Sequence, residues 1–156
     1  MSIHLHFRAV AETGIRDDHA WLAAFMSEAW DRRADEHEAG VSTSFDKVSG
    51  LVAEFYSAAE ADDRELPVHG GRPVANDTGF DPPLMLMDAP EVSRAARFLT
   101  AVSFDDLWRA AGPRFRALCP DEESNREEFR SYHHGLRAFY AQAASAGHAV
   151  VKAVWA

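Results

Sequence analysis

The last third of the chain constrains the fold most. A polar-faced helical pattern runs from about Asp121 to Ala146, ends at Gly147, and is followed directly by the apolar run His148–Trp155. Glycine just past a helix favours the left-handed backbone that ends it, and a short apolar run is typical of a buried strand. The sequence therefore predicts a long helix that leads straight into the closing strand of a sheet.

The amino terminus supplies a second strand pattern. Ile3, Leu5 and Phe7 alternate with polar residues, which predicts a strand with one packed and one solvated face. Leu84–Met87 is a third, central strand candidate, and helical spacing dominates between these segments. We therefore expect one helix-rich α+β domain over residues 1–156, with a small sheet formed by N-terminal, central and C-terminal strands.

Capping and breaker residues predict the boundaries between these segments. The segment 31–40 is predicted to be a fraying helix end and a loop, and a new helix is predicted to begin at Thr43 or Ser44. Pro113 predicts a helix break. The segment 66–83 is rich in proline and glycine, so a long irregular loop is expected there.

Charge limits the classes of partner. The chain has a net charge of −9, with 15 acidic and 7 basic residues in 1–78 against 10 and 9 in 79–156. An acidic half repels phosphate backbones and anionic lipid headgroups, so we expect neither nucleic acid nor a membrane as partner. A basic protein is the favoured partner. The alternative is that the negative surface only keeps a small protein soluble.

Cysteine usage and hydropathy indicate the compartment. Cys119 is the only cysteine, so no intramolecular disulfide is possible, and the residue is expected to be a small buried hydrophobe. The sequence contains neither a signal-peptide pattern nor an apolar run long enough for a membrane span. We therefore expect a soluble cytoplasmic protein.

Three histidines on the terminal strands form an alternative metal site. His4 and His6 share one face of the first strand and His148 begins the last, so their rings could meet at a zinc ion if these strands are neighbours. No carboxylate or cysteine pattern supports them, and a solvated sheet face also tolerates histidine. Phosphate-loop, dinucleotide and paired-cysteine motifs do not occur either. The prediction is therefore no metal and no cofactor.

His69, Gly70, Gly71 and Arg72 form the best candidate for a binding loop. Consecutive glycines expose backbone N–H groups, and Arg72 could hold an anion, although a tight turn that needs positive φ explains the same residues. Asp46 is a further candidate binding residue, with a helix-capping role as the alternative. Esterases use a His-Gly-Gly run as an oxyanion hole, but their Gly-x-Ser-x-Gly motif does not occur in this sequence. No catalytic residue is predicted.

Several short motifs follow one another in a recognisable order. They are Asp46-Lys47, Gly70-Gly71, Pro90-Glu91-Val92, the Phe-Tyr-x-x-Ala-Ala run at 139–144, Gly147 and the final apolar strand. This order resembles the YfbM-like family of bacterial domains of unknown function, over nearly the whole chain. The resemblance implies an α+β fold and a cytoplasmic bacterial protein, and it implies no activity.

Two classes of function stay open. The first is a non-enzymatic binding or interaction protein whose acidic N-terminal half docks a basic partner, and we favour it because no catalytic set is found. The second is a small-molecule-binding or hydrolytic enzyme with a pocket near the loop 66–83. A cleft with converging histidine, arginine and carboxylate groups would favour the second class, and a flat acidic face with exposed aromatic residues would favour the first.

Overall fold

A five-stranded antiparallel sheet forms the centre of the computed structural model, which describes residues 3–76, 82–116 and 121–156. The strands are β1 (His4–Ala11), β2 (Ser42–Asp46), β3 (Arg72–Pro73), β4 (Leu84–Met87) and β5 (His148–Trp155). Their order is β2-β1-β5-β4-β3, so the two terminal strands lie side by side. The predicted α+β fold, with a sheet built from N-terminal, central and C-terminal strands, is confirmed.

Seven α-helices occupy the described residues. They are α1 (His19–Asp31), α2 (Arg33–Ala39), α3 (Ser49–Ser57), α4 (Leu66–His69), α5 (Ala89–Ala101), α6 (Phe104–Arg116) and α7 (Glu122–Ser145). Asp18, Asp88 and Asp121 cap the helices that follow them, because each side chain accepts a hydrogen bond from a free N–H group of the first turn. Two 3-10 turns, Glu12–Gly14 and Asp62–Glu65, connect other elements.

Helices cover both faces of the sheet. Leu5 and Phe7 of β1 pack into the larger core, which α3, α5, α6 and α7 complete. The opposite face packs against α1 through Leu22 and Met26. His6 lies on this second face and is 0% exposed, so the prediction that one face stays in water is wrong. An amphipathic helix covers it.

The edge strand β2 replaces the predicted helix start. Thr43 and Ser44 lie within β2 and pair with β1, and α3 begins only at Ser49. Serine and threonine favour a helix cap when their own backbone is unpaired, but pairing with a neighbouring strand takes precedence here. Asp46 ends a strand, so the helix-capping role considered for it is wrong.

Two further boundaries differ from the predicted ones. The expected loop before Gly40 contains α2, which is held to the sheet because the Glu36 carboxylate accepts hydrogen bonds from Arg8 at 2.9 Å. Pro113 lies inside α6 instead of breaking it. Burial of Trp108 on the same helix helps to offset the hydrogen bond that proline cannot donate.

The predicted irregular loop 66–83 is partly regular. It contains α4, β3 and the transition into β4, while residues 77–81 lie outside the described residues, as does Cys119. None of the helices in the described ranges is both long and apolar enough to cross a lipid bilayer.

Candidate functional site

The residues predicted to form a binding loop lie at one edge of the sheet. His69 ends α4, Gly70 and Gly71 make the turn, and Arg72 begins β3. Asp46 lies on β2 at the opposite edge, four strand spacings away. This corresponds to about 19 Å. The structure therefore does not bring Asp46 to the loop.

The histidines of the terminal strands do not converge. His148 pairs with Ala11, whereas His4 pairs with Trp155 at the other end of the ladder. Seven positions along a strand correspond to about 23 Å, so the metal site built on His4, His6 and His148 is wrong. Within the described ranges, no group of three His, Cys, Asp or Glu side chains is placed to hold a metal ion.

His6 is instead buried between the sheet and the helices α1 and α2. Its Nε2 lies 2.7 Å from the Oγ of Ser42, and its ring contacts Trp30 and His37 at centroid distances of 5.9 and 5.8 Å. Burial lowers the pKa of His6 to about 4, together with the positive charges of His37 and Arg8. The ring is therefore neutral at pH 7, and its surroundings indicate a packing role.

A groove opens beside the predicted loop, between α3, the 3-10 turn Asp62–Glu65 and α5. Its volume is about 630 Å³, which is typical of small-ligand sites. We call it the acidic groove. Its charged lining residues are Glu54, Asp62, Asp63, Glu65, Arg64 and Arg94, and the remaining lining residues are Ala53, Ser57, Leu66, Val68, His69, Gly70 and Gly71.

Carboxylates outnumber guanidinium groups in the acidic groove. Arg94 Nε lies 3.7 Å from the Oδ1 of Asp63, and Arg64 donates a hydrogen bond to the backbone oxygen of Ala59 at 3.2 Å. Both arginines are thus partly engaged by protein groups. With four carboxylates against these two guanidinium groups, the formal charge of the lining is −2, which favours cations.

His69 lines the acidic groove, and its charge state follows from its surroundings. Burial lowers its pKa, the positive charge of Lys152 lowers it as well, and the carboxylate of Glu65 opposes both. At neutral pH the imidazole therefore carries no charge and offers one donor and one acceptor. It can orient a polar ligand without repelling a cation.

Lys152 lies beneath the loop and is a residue that sequence reasoning missed. It sits within β5 and is fully buried, and its Nζ donates to the backbone oxygens of Leu66, Val68 and Gly70 at 2.9, 3.0 and 2.9 Å. Three acceptors match the three N–H groups of an ammonium. Burial lowers the pKa of Lys152, and the negative charge of Glu91 opposes this. The one signal in the sequence is a lysine inside an apolar run.

The paired glycines meet steric demands of the turn. A Cβ on Gly70 would lie 2.4 Å from the Cα of Leu66, and Gly71 has a φ of 107°. Gly70 also turns its backbone oxygen toward the buried ammonium, and Arg72 pairs with Asp17. These contacts favour the tight-turn interpretation of the motif, and ligand binding by its side chains stays a prediction.

Comparison with known proteins identifies the family of this fold. The model of a family described as a domain of unknown function, DUF1877, matches residues 1–152. The chain belongs to this family. The DUF1877 chain is also similar to the crystal structure of YfbM, a protein of unknown function from Escherichia coli, with a TM-score of 0.62 and 15% sequence identity. The match covers 97% of this chain and 99% of the YfbM chain, and at such identity it shows the fold alone.

No curated protein matches the DUF1877 chain. The resemblance to YfbM-like domains is confirmed, and the family has no assigned activity. Within this DUF1877 domain, sequence reasoning found the loop but not the charged walls around it. Asp63 and Arg94 are 31 positions apart and form an ion pair only because α5 lies beside the 3-10 turn. No short motif carries that information.

Proposed function

We propose that this DUF1877 domain is a binding protein whose acidic groove takes a small organic cation bearing amine or guanidinium groups. The observation that carries the proposal is the surplus of carboxylates over guanidinium groups in a recess of about 630 Å³. Converging histidine, arginine and carboxylate groups favour the small-molecule class over a flat docking face. A cytoplasmic location stays a prediction from the sequence.

The geometry suits a ligand with two or more positive charges. Glu54 lies on the α3 wall, whereas Asp62 and Glu65 lie on the turn that forms another wall. Each exposed charge pair contributes up to about 1 kcal/mol, so three such contacts contribute at most about 3 kcal/mol, whereas a millimolar Kd needs about 4 kcal/mol. The neutral His69 ring adds a hydrogen bond that a purely electrostatic site lacks.

Binding is favoured over hydrolysis by the state of the hydroxyl in the groove. Ser57 lies in the lining, and its Oγ donates to the backbone oxygen of Glu54 at 2.6 Å. A serine nucleophile needs a general base as its partner, and a carbonyl oxygen cannot take the proton. We therefore assign Ser57 no role as a nucleophile.

A basic segment of a protein partner is a second candidate occupant. A neighbouring recess extends the carboxylate surface beyond the groove, with Glu60, Asp62 and Glu65 against the single cation Arg64 in its lining. The acidic half of the chain indicates the same partner chemistry. Ile3 is the one exposed large hydrophobic side chain among the described residues. Such an interface would therefore depend on charge and be sensitive to salt.

Calorimetric titration tests the proposal. Spermidine and agmatine are expected to bind the wild-type protein, with affinity that falls as salt rises, whereas glycerol and citrate are not. Asp62→Asn and Glu65→Gln should each weaken spermidine binding by about two- to fivefold. Glu38→Gln, an exposed carboxylate on α2, is the matched control and should change nothing.

Two outcomes would contradict the small-cation proposal. Equal binding of spermidine to wild type and to the Asp62→Asn, Glu65→Gln double variant would place the ligand elsewhere. Binding of an arginine-rich peptide without any binding of the small cations would support the protein-partner candidate instead.

A further inference from the structure

The Lys152 ammonium forms an internal cation site under the acidic groove. Its three acceptors are backbone oxygens at 2.9, 3.0 and 2.9 Å, and its Nζ lies 5.1 Å from the ring centroid of Phe7. The partners in these contacts are neutral oxygens and an aromatic face. Such a set resembles the coordination of a free ammonium or potassium ion more than an ion pair.

The three oxygens belong to the floor of the groove. Leu66, Val68 and Gly70 all line it, and they come from one short segment that contains the single turn of α4. A four-residue helix leaves its carbonyl groups without intrahelical partners, and a cation at its C-terminal end satisfies them. The ammonium therefore accounts for the orientation of these three oxygens toward Lys152.

The segment 66–70 makes a tight turn beside the ammonium. The backbone at Leu66 and Gly70 approaches so closely that a Cβ at position 70 would lie 2.4 Å from one atom and 2.6 Å from another. The buried hydroxyl of Tyr140 also donates a hydrogen bond to the backbone oxygen of Pro67 at 2.7 Å. Two buried side chains on β5 and α7 thus hold this segment from beneath, while its other side faces the groove.

We propose that Lys152 is a positioning residue of the acidic groove, a tethered cation that fixes the groove floor without touching the ligand. The inference rests on the proposed function, since it assumes that the groove is the binding site. When the ammonium is absent, the segment 66–71 samples other conformations, and the fraction of molecules with a correctly shaped floor falls. Apparent affinity falls by the same fraction.

Hydrogen exchange and calorimetry on two variants test this. Lys152→Met keeps most of the side-chain volume and removes the charge. Its backbone amides at residues 66 and 68–71 should exchange faster than in wild type, and spermidine should bind about tenfold more weakly. Val150→Ala is the matched control, because Val150 is also 0% exposed, lies on the same face of β5 and bonds none of the three oxygens. It should lower the melting temperature and leave the exchange of these amides unchanged.

Chemical rescue tests whether a cation at this position is what holds the segment 66–71. Lys152→Ala leaves a space bounded by the three oxygens, so ammonium chloride should raise its melting temperature more than sodium chloride does at equal ionic strength. In Val150→Ala and in wild type, the two salts should change the melting temperature equally. If Lys152→Ala does not fold, the exchange rates of Lys152→Met decide the question.

The outcomes separate the two proposals. The role of Lys152 is overturned if the amides of residues 66–71 exchange at the wild-type rate in Lys152→Met. It is also overturned if their exchange accelerates equally in Val150→Ala. If these amides exchange faster in Lys152→Met but spermidine affinity is unchanged, the link between Lys152 and the groove is overturned, and the proposed function of the groove is unaffected. Absence of spermidine binding in wild type overturns the proposed function, while the exchange and salt experiments still decide whether the ammonium holds the segment.

Discussion

Acid sensitivity of the fold should arise in part from His133, which is buried on α7. Its Nδ1 lies 2.9 Å from the hydroxyl oxygen of Tyr56, and its exposed fraction is 3%. With the ring proton on Nε2, the tyrosine donates this hydrogen bond to a neutral imidazole. Burial lowers the pKa of His133 to about 4, together with the positive charges of His134 and Arg137. The folded state therefore binds its proton more weakly than the unfolded state does.

The sign and size of the effect follow from the two pKa values of His133. Its folded pKa lies below the unfolded value of 6.5, so between pH 6.5 and about pH 4 the unfolded chain carries more protons. The free energy of unfolding then falls as pH falls through this window. From pKa values of about 6.5 and about 4, the loss between pH 7.5 and pH 5 is about 2 kcal/mol.

Urea denaturation of His133→Asn at pH 7.5 and pH 5 measures this contribution. The asparagine amide can still accept a hydrogen bond, and the variant should be less stable than wild type by about 1–3 kcal/mol at pH 7.5. Because asparagine does not titrate, this gap should narrow by about 2 kcal/mol at pH 5. Ser131→Asn, an exposed change on the same helix that alters no titratable group, should keep a nearly constant gap. A gap for His133→Asn that stays constant or widens at pH 5 would refute the reasoning.

Three further predictions concern stability. Gly70→Ala should lower the unfolding free energy by about 2–3 kcal/mol in thermal melts, because the new Cβ would clash with the backbone at Leu66. Gly135→Ala should raise it by about 0.5–1 kcal/mol, because a Cβ there meets open space on the surface of α7. Glu36→Gln should lower the urea midpoint by the equivalent of about 1–2 kcal/mol, since Arg8 loses its buried charged partner but keeps its salt bridge to Glu28. Lys47→Gly should raise stability by about 0.5 kcal/mol in the same assay, because Lys47 has a φ of 62°.

The parts of the fold that could be predicted are those encoded locally. Period-two alternation along β1 and the apolar run of β5 need no knowledge of the rest of the chain. Asp88 and Glu91 meet within one turn, where their reciprocal hydrogen bonds form the capping box of α5. In each case the residues that determine the element are its own or lie next to it.

The mistaken boundaries lie where distant pairing decides the outcome. Ser42 and Ser44 become strand residues because β1 pairs with them, and β1 lies more than 30 positions earlier in the chain. The segment before Gly40 is helical in part because Glu36 reaches Arg8. Local patterns around these residues favour a cap and a loop, so contacts distant in sequence had to override them.

The candidate site was hidden for a different reason. Its floor is made of backbone oxygens, which every residue type supplies, and a motif of side chains cannot record them. Two of the residues that the arrangement constrains are a lysine at position 152, whose ammonium has three donors, and a glycine at position 70, which permits the close approach. They are 82 positions apart. A relative without a lysine at the equivalent position has no buried cation to turn these oxygens inward, so the steric demand for glycine at the turn should disappear with it. The pair would then mark this form of the groove floor more directly than the paired glycines alone, because glycine pairs occur in many turns that bind nothing.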